Sequence, residues 1–390
     1  MLDCQKDKFN LSEEISYINC AYMSPNLRTV EQAGVQAILQ KSQPWKVTRS
    51  DFFAPVEKLK STFAKLINCP DSQRIAIIPS ASYGIASIVK NVHATDKDNI
   101  ILVGEGFPSN YYSWKKLSDS TGAEIKIITA PQISSSKGKI WNKNILDAID
   151  ENTIAIALGN IHWADGTLFD LEKIREKTNK NKALMIIDGT QSIGAYPFDI
   201  QSVKPDALVC AGYKWLLGPY VSGVGYFGEK FDSGEPIEEN WINRLDSQQF
   251  ENLVNYQPDY KTQANRYSMG EQSNFIGVPM LQKSLDQLLE WGIENIQNYC
   301  KNITQKPIEK LLDMGCQIEE ENYRVAHLFG VKLSSNMDMK KLKFNFEKNK
   351  LKVSQRGDAI RVAPHVYNNS EDFEKLIYCF KRSTSQKTIF

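Results

Sequence analysis

The stretch ALMIIDGTQSIGAYPFDIQSVKPDALVCAGYKWLLG (residues 183–218) decides the fold. It contains two short runs, Ala183–Ile187 and Ala207–Ala211, that are apolar enough for β-strands buried on both faces. Asp188 follows the first run directly, and Lys214 lies three residues beyond the second. The segment between the runs is long enough for a crossover that returns the chain parallel. Because ligands of open α/β sheets bind at the carboxyl ends of the strands, we expect Asp188 and Lys214 to meet at one edge, on neighbouring or near-neighbouring strands.

An aspartate and a lysine at such an edge suit pyridoxal 5′-phosphate (PLP). A lysine amine can condense with the PLP aldehyde, and a carboxylate can keep the pyridine nitrogen protonated, which makes the ring an electron sink. We therefore predict Lys214 and Asp188 as catalytic residues, with Gln191, one turn after Asp188, placed to reach the ring hydroxyl. The alternative is that Asp188 caps a helix and Lys214 is solvated. The aromatic neighbours Tyr213 and Trp215 favour the cofactor over that alternative.

Two motifs in this stretch resemble those of the class V aminotransferases, a family of fold-type-I PLP enzymes: DGTQSIGAYPFD (residues 188–199) and AGYKWLLGP (residues 211–219). The family includes cysteine desulfurases, selenocysteine lyases, isopenicillin N epimerase and kynureninase. The resemblance covers nearly the whole chain. It implies PLP as cofactor and an α/β fold with a mixed seven-stranded sheet in the large domain and a smaller α+β C-terminal domain. It also implies a homodimer with active sites at the interface.

Seven apolar runs separated mostly by helix-length gaps are typical of a doubly wound sheet. The last gap, residues 212–221, is too short for a helical crossover, so we expect the seventh strand to run antiparallel. The predicted strands are Arg74–Ile78, Asn99–Val103, Glu124–Thr129, Thr153–Leu158, Ala183–Ile187, Ala207–Ala211 and Ser222–Phe227.

The predicted domains are residues 1–260 and residues 261–390. The first comprises an extended N-terminal segment and the PLP-binding large domain. The second comprises an interface loop, a connecting helix and the small α+β domain. Amphipathic patterning predicts one long connecting helix over Gly277–Ile303 and a separate helix at Ile308–Asp313.

The turn Pro79–Gly84 (PSASYG) follows the first strand of the predicted sheet. Small residues with a hydroxyl at the start of a helix offer free backbone N–H groups to an anion, although a serine there can equally be an N-cap. The resemblance implies that this turn holds the PLP phosphate through the Ala81 backbone and the Ser82 hydroxyl. It further implies a phosphate contact from Tyr213, as in kynureninase, at a position where the desulfurases have histidine.

Two aromatic residues occupy positions that face the PLP ring in the family. Phe107 stands where the family places a ring-stacking residue, commonly histidine in the desulfurases; a phenyl ring can stack but cannot shuttle protons. Trp163 aligns where the desulfurases carry an asparagine that hydrogen-bonds the ring oxygen, which leaves Gln191 as the polar partner of that oxygen. The neighbouring His162 is expected to be structural.

The loop Gly270–Phe275 resembles a family segment that crosses the dimer interface to the partner's phosphate. Either Ser273 or Asn274 can make that contact, and the sequence leaves the choice open. Arg361 stands where the family keeps the arginine that binds the substrate carboxylate, a role that suits a planar guanidinium. The alternative is an exposed strand arginine. Ala21 belongs to a run that resembles the family's opening strand, whose end contacts substrate or cofactor.

Residues 353–360 (VSQRGDAI) contain no cysteine. Desulfurases and selenocysteine lyases carry a nucleophilic cysteine shortly before the arginine that binds the substrate carboxylate. Persulfide-forming desulfuration is therefore disfavoured. We expect a PLP enzyme that acts at the Cα of an amino acid or analogue by transamination, epimerisation or elimination. The alternatives are a desulfurase-type C–S lyase and a non-catalytic PLP-fold binding protein, and intact Lys214 and Asp188 argue against the latter. A nicotinamide enzyme is a weaker rival, because the glycines of GVGYFG (residues 223–228) lie within a predicted strand.

Composition restricts the partners. A net charge of +1 gives no electrostatic reason to expect nucleic acid or an anionic membrane, and no apolar run approaches the roughly 18 residues that span a bilayer. The N-terminus lacks the apolar core of a signal peptide, and the seven cysteines are scattered and never spaced C-x-x-C, so we expect a cytoplasmic protein. The four histidines lie far apart, so we expect no metal. The expected partner is an amino-acid-like small molecule.

Overall fold

The computed structural model describes residues 2–132 and 136–384, which form twelve β-strands and eleven α-helices. The strands are β1 (Ser16–Tyr17), β2 (Ile75–Ile78), β3 (Asn99–Val103), β4 (Glu124–Ile128), β5 (Thr153–Gly159), β6 (Leu184–Asp188), β7 (Ala207–Ala211), β8 (Gly223–Phe227), β9 (Phe329–Lys332), β10 (Leu351–Lys352), β11 (Ser354–Arg356) and β12 (Ala359–Val362). The helices are α1 (Arg28–Lys41), α2 (Ala54–Leu66), α3 (Ala81–Lys90), α4 (Ser109–Thr121), α5 (Lys137–Ala148), α6 (Leu171–Asn181), α7 (Ile200–Val203), α8 (Gly277–Trp291), α9 (Ile293–Asp313), α10 (Met339–Lys348) and α11 (Ser370–Lys381).

The central sheet has the seven predicted strands, in the order β2-β8-β7-β6-β5-β3-β4. Strand β8 runs antiparallel to both of its neighbours, and every other pairing in the sheet is parallel. The expected mixed seven-stranded sheet is therefore confirmed. β6 and β7 are direct neighbours, with Asp188 paired to Val209. Their carboxyl ends lie side by side, and this places Asp188 near the turn that carries Lys214.

The sheet is covered on both faces, as expected for a parallel sheet. Successive residues of β6 show this directly, because Met185 and Ile187 pack into one apolar cluster and Ile186 packs into the other. The cluster that contains Ile186 includes α3 and α4, whereas the opposite cluster includes α5, α6 and α8. A strand buried on both faces reads as a continuous apolar run, which is why its position was predictable.

The smaller C-terminal unit is built on an antiparallel sheet in the order β11-β12-β9. The N-terminal segment ties it to the large unit: β1 pairs with β10 in parallel, while Phe9 and Leu27 pack in the large core. The prediction grouped this segment with the large domain alone, and the structure attaches it to both units. The division at residue 260 stays a prediction.

The predicted single helix over Gly277–Ile303 is wrong. The structure breaks it at Gly292, whose φ of +76° lies in the left-handed region that favours glycine, so α8 ends there and α9 begins. The predicted start of another helix at Ile308 is also wrong, because α9 continues through Pro307. Proline removes one backbone hydrogen bond, and the buried Ile308 and Leu311 keep the following turn packed on the core.

Within residues 2–132 and 136–384, no helix combines the length and the apolar composition needed to cross a membrane. The same residues contain no group of three or more His, Cys, Asp or Glu side chains arranged to hold a metal ion.

Candidate active site

A cavity of about 220 Å³ opens at the carboxyl ends of β6 and β7, beside the N-terminus of α3. Pockets of open α/β sheets are expected at this edge. Eight of the ten residues predicted to hold the cofactor line it: Ala81, Ser82, Phe107, Trp163, Asp188, Gln191, Tyr213 and Lys214. Sequence reasoning did not single out Ser109, Thr190, Tyr220 and Ser222, which line it as well.

Lys214 is buried, with only 6% of its surface exposed. Its Nζ lies 5.2 Å from the centroid of the Phe107 ring and 5.5 Å from that of Tyr213. Burial lowers the pKa of the amine to about 8, while the charge of Asp188 acts in the opposite direction. The alternative of a solvated lysine is therefore excluded. An amine with this pKa supplies the neutral form that attacks a carbonyl.

Asp188 ends β6 with a hydrogen bond on each carboxylate oxygen. Oδ1 accepts from the backbone N–H of Thr190 at 3.0 Å, which caps the short 3-10 turn Gly189–Gln191. Oδ2 accepts from Nδ2 of Asn110 at 2.8 Å. Asp188 is therefore a cap, as the alternative expected, but only one of its carboxylate oxygens serves that purpose. Asn110, in the first turn of α4, was missed because its partner lies 78 positions away in the sequence.

Gln191 is held by a buried network. Its Oε1 accepts from Nε1 of Trp215 at 2.8 Å, and its Nε2 donates to the carbonyl of Ala21 at 3.3 Å. The second hydrogen on Nε2 remains available to a ligand oxygen. Ala21 itself is 1% exposed and does not line the cavity, so its contact with substrate stays a prediction. Burial lowers the pKa of His327 to about 4, and its neutral ring pairs with the backbone carbonyl of Gln191 at 2.8 Å.

The N-terminus of α3 also borders the cavity. Ser80 is its N-cap, with Oγ accepting from the N–H of Tyr83 at 3.2 Å and lying 2.9 Å from Oγ of Ser82. The N-cap alternative therefore applies to Ser80 and leaves Ser82 at the cavity. A Cβ at Gly84 would lie 2.5 Å from Val209 Cγ1, so only glycine lets α3 approach β7 this closely.

Phe107 and Trp163 form an aromatic corner, with ring centroids 5.5 Å apart and the planes at 83°. Nε1 of Trp163 donates to the carbonyl of Glu105 at 2.7 Å, so the indole N–H is already engaged. The same carbonyl lies 3.2 Å from Nε2 of His162, whose Nδ1 contacts Asp165 at 3.0 Å. His162 is buried in these contacts, and this agrees with the structural role expected of it.

Arg361 on β12 is 1% exposed, which excludes the alternative of an exposed strand arginine. Its Nη1 donates to the carbonyl of Trp163 at 2.9 Å, whereas Nε and Nη2 have no partner in the described part of the chain. Burial lowers the pKa of the guanidinium to about 9. A buried cation with unsatisfied donors is unfavourable unless an anion completes it. The arrangement suits a carboxylate ligand.

Ser273 and Asn274 do not line the cavity. Oγ of Ser273 donates to the carbonyl of Phe52 at 2.5 Å. Oδ1 of Asn274 accepts from the N–H groups of Ile276 and Gly277 and so caps the start of α8. Both side chains are therefore engaged within their own chain. A contact from either to a partner's phosphate stays a prediction.

No cysteine replaces the one missing from residues 353–360. Cys20 and Cys210 lie close enough to Lys214 to interact with it electrostatically, and both are fully buried. Burial raises the pKa of both thiols, so they stay protonated and unreactive. Among the described residues, no exposed nucleophilic thiol lines the cavity.

The donor set matches each functional group of PLP. Free N–H groups at the start of α3, with the hydroxyls of Ser82 and Tyr213, suit a phosphate. A buried amine at Lys214 suits an aldehyde, and the carboxylate of Asp188 suits a pyridinium nitrogen. The cavity therefore fits the cofactor implied by the sequence.

Comparison with known proteins gives the same assignment. Residues 45–376 match the family model described as aminotransferase class V. The chain is 24% identical to the uncharacterized aminotransferase YcbU of Bacillus subtilis over 87% of this chain and 86% of the relative. It is 26% identical to an uncharacterized aminotransferase of Schizosaccharomyces pombe over 86% and 83% of the two chains.

Among solved structures, the cysteine desulfurase CsdA of Escherichia coli superposes with a TM-score of 0.80. The superposition covers 97% of each chain at 16% sequence identity, and so it shows a shared fold. Together with the family match, it confirms the predicted fold class and the predicted cofactor. The chain belongs to the class V aminotransferase family of fold-type-I PLP-dependent enzymes.

Proposed function

We propose that this protein removes the Cα proton of an α-amino acid and transfers its amino group to a 2-oxo acid. The observation that carries the proposal is a single cavity that holds Lys214 and Asp188, with the buried and unsatisfied Arg361 beside it. These side chains supply an amine, a carboxylate and a carboxylate-binding cation. The two relatives described as aminotransferases support amino transfer over the other reactions open to the family.

PLP, when bound, withdraws electrons from the substrate Cα and so makes its proton removable. Lys214 Nζ would hold the cofactor through its aldehyde and would be the base that accepts the Cα proton. Its pKa of about 8 suits a general base that works near neutral pH. Asp188 holds a proton on the pyridine nitrogen, with Asn110 and Thr190 fixing the carboxylate.

The remaining residues orient and enclose the reacting groups. Phe107 supplies an apolar face for the ring, and Gln191 offers an amide hydrogen to the ring hydroxyl. Ala81, Ser82 and Tyr213 bind the phosphate. Arg361 holds the substrate carboxylate, so that the Cα–H bond is presented to Lys214 Nζ rather than to solvent.

A desulfurase-type C–S lyase is the competing function. The fold shared with CsdA favours it. Two features disfavour it: Cys20 and Cys210 are buried and protonated, and residues 353–360 contain no cysteine. The assay that separates the two reactions follows both products from one amino-acid panel. Formation of a new amino acid from an added 2-oxo acid supports amino transfer, whereas sulfide or persulfide released from cysteine would replace it with desulfuration.

The cofactor assignment is tested on the purified protein. We expect an absorbance band of lysine-linked PLP that disappears on borohydride reduction, with the label found on the peptide that contains Lys214. Lys214→Ala serves as the matched variant and should carry no label. A protein that takes up no PLP, or that is labelled elsewhere, would contradict the proposal.

We also infer a homodimer. The outer face of α1 exposes Val35, Ile38 and Leu39, each more than half accessible, and Trp45 and Tyr256 are 77% and 97% exposed. Apolar surface of this kind marks an interaction site, and a second copy is the occupant that the family resemblance implies. Light scattering should give twice the chain mass, and a fully active monomer would contradict the inference.

We place the protein in the cytoplasm because all seven cysteines are free thiols.

A further inference from the structure

A second arginine lies beside Arg361. Arg356 ends β11, and the short turn at Gly357 and Asp358 connects it to β12. Ser354 pairs with Arg361 and Arg356 pairs with Ala359. Residues directly opposite each other share a face of a sheet, as do residues two apart along a strand. The two arginines therefore project from the same face of the hairpin.

Both guanidinium groups contact the same aromatic ring. The Cζ atoms of Arg356 and Arg361 lie 5.3 Å and 5.9 Å from the centroid of Trp163. Trp163 also lines the cavity that holds Lys214 and Asp188. Arg356 is therefore next to a residue that lines the cavity.

Arg356 lacks an acidic partner. Its Nη1 donates to the carbonyl of its neighbour Gln355 at 2.7 Å, while its Nε is buried and has no partner among the described residues. Neither Arg356 nor Arg361 forms an ion pair with any carboxylate of residues 2–132 and 136–384. Burial lowers the pKa of Arg356, whose charge in turn lowers the pKa of Arg361. Two neighbouring guanidinium groups with no carboxylate partner among the described residues form a site that suits two anionic groups.

A monocarboxylic amino acid satisfies only one of these cations. We propose that Arg361 binds the α-carboxylate and that Arg356 binds a second, distal carboxylate, so that the substrate is an acidic amino acid. This inference rests on the proposed function and specifies its substrate class. Trp163 contacts both guanidinium groups and is the surface against which the aliphatic part of the substrate packs.

The test compares acidic amino acids with their neutral amides on the PLP-loaded enzyme. We expect kcat/KM to be higher for L-glutamate or L-aspartate than for L-glutamine or L-asparagine. Arg356→Gln should lower kcat/KM for the acidic substrates by roughly 30- to 100-fold, the effect of losing a charge-assisted contact, and should change the amides less than about threefold. Arg356→Lys should recover part of the loss.

Lys332→Gln is the matched control. Lys332 lies in the same three-stranded sheet, is half exposed and pairs with Asp358 of the hairpin at 3.2 Å. Its loss removes a β9 cation that pairs with the hairpin turn, and Lys332 does not line the cavity, so the preference for acidic substrates should persist. A wild-type enzyme that prefers the amides overturns the proposal without any variant. An Arg356→Gln enzyme that loses acids and amides equally also overturns it, because Arg356 then serves the α-carboxylate or the hairpin fold.

A binding measurement separates this inference from the proposed function. Calorimetry uses glutarate and butyrate, neither of which has an amine to react. The wild type should bind glutarate more tightly than butyrate, and Arg356→Gln should bind the two with equal affinity. Glutarate binding that depends on Arg356 in a protein that transaminates nothing refutes the proposed function and leaves the anion subsite standing. Turnover of amino acids with no glutarate preference refutes the subsite alone.

Discussion

The carboxylate at the sheet edge and the guanidinium groups at the hairpin differ in how far the chain satisfies their hydrogen bonds. At the sheet edge, both oxygens of Asp188 accept hydrogen bonds, from Asn110 and Thr190. At the hairpin, Nε and Nη2 of Arg361 and Nε of Arg356 have no partner among the described residues. The sheet edge is therefore preorganised by its own chain, whereas the hairpin is completed by a ligand. This contrast suits a permanently held cofactor and a substrate that comes and goes.

The largest effect is expected at the preorganised end. Asp188→Asn should keep PLP attached to Lys214, since the lysine link does not depend on the carboxylate. It should lower kcat by on the order of 100- to 1000-fold, because a neutral amide no longer stabilises the protonated pyridine nitrogen. The measurement is PLP content by absorbance together with kcat. Unchanged turnover in a variant that retains PLP would remove Asp188 from the mechanism.

Arg361→Ala tests the unsatisfied end. Removing a buried charge-assisted contact to the substrate carboxylate costs about 2–4 kcal/mol, or roughly a 30- to 1000-fold loss of kcat/KM. The amount of bound PLP should not change, since Arg361 does not line the cavity that holds the ring. Amines that lack a carboxylate are the control and should lose much less. Equal losses for carboxylated and decarboxylated substrates would contradict the assignment.

Asn110→Ala sharpens the comparison, because Asn110 acts only through Asp188. Loss of its 2.8 Å hydrogen bond should lower kcat by about 10-fold with little change in KM. The pH profile of PLP absorbance distinguishes this role from a merely structural one. The carboxylate then has one hydrogen bond fewer to hold it in place, and the pyridine nitrogen paired with it should respond in that profile. An unchanged profile and an unchanged kcat would show that Thr190 alone positions Asp188.

The smallest effect concerns pH. Because burial lowers the pKa of Lys214 to about 8, its neutral fraction rises through that pH. The rate at which PLP-free protein captures PLP should therefore increase from pH 7 to pH 9 and then level off. The charge of Arg361 also lowers the pKa of Lys214, so Arg361→Ala should move the midpoint to higher pH. Stopped-flow absorbance measures both midpoints, and a shift to lower pH would contradict the electrostatic coupling.

The sequence alone predicted the parts of the fold that depend on local patterns. Apolar runs such as Ala207–Ala211 reveal buried strands, and the short gap at residues 212–221 sets the antiparallel direction of β8. Placement of Asp188 and Lys214 follows from the rule that ligands bind at strand ends. The helix break was mislocated because Pro307 is a local signal for an end, whereas the packing of Ile308 and Leu311 that overrides it is not local.

The sequence by itself thus determined the strand set, the cofactor and the candidate catalytic pair, because each leaves a signature within a few residues. Only the tertiary structure decided which side chains complete them. Asn110 meets Asp188 across 78 positions, and Trp163 meets Arg361 across 198. It also decided that β1 joins the small unit and that no carboxylate in the described part of the chain pairs with Arg356. Such contacts arise from long-range pairing and burial, which periodicity along the chain does not encode.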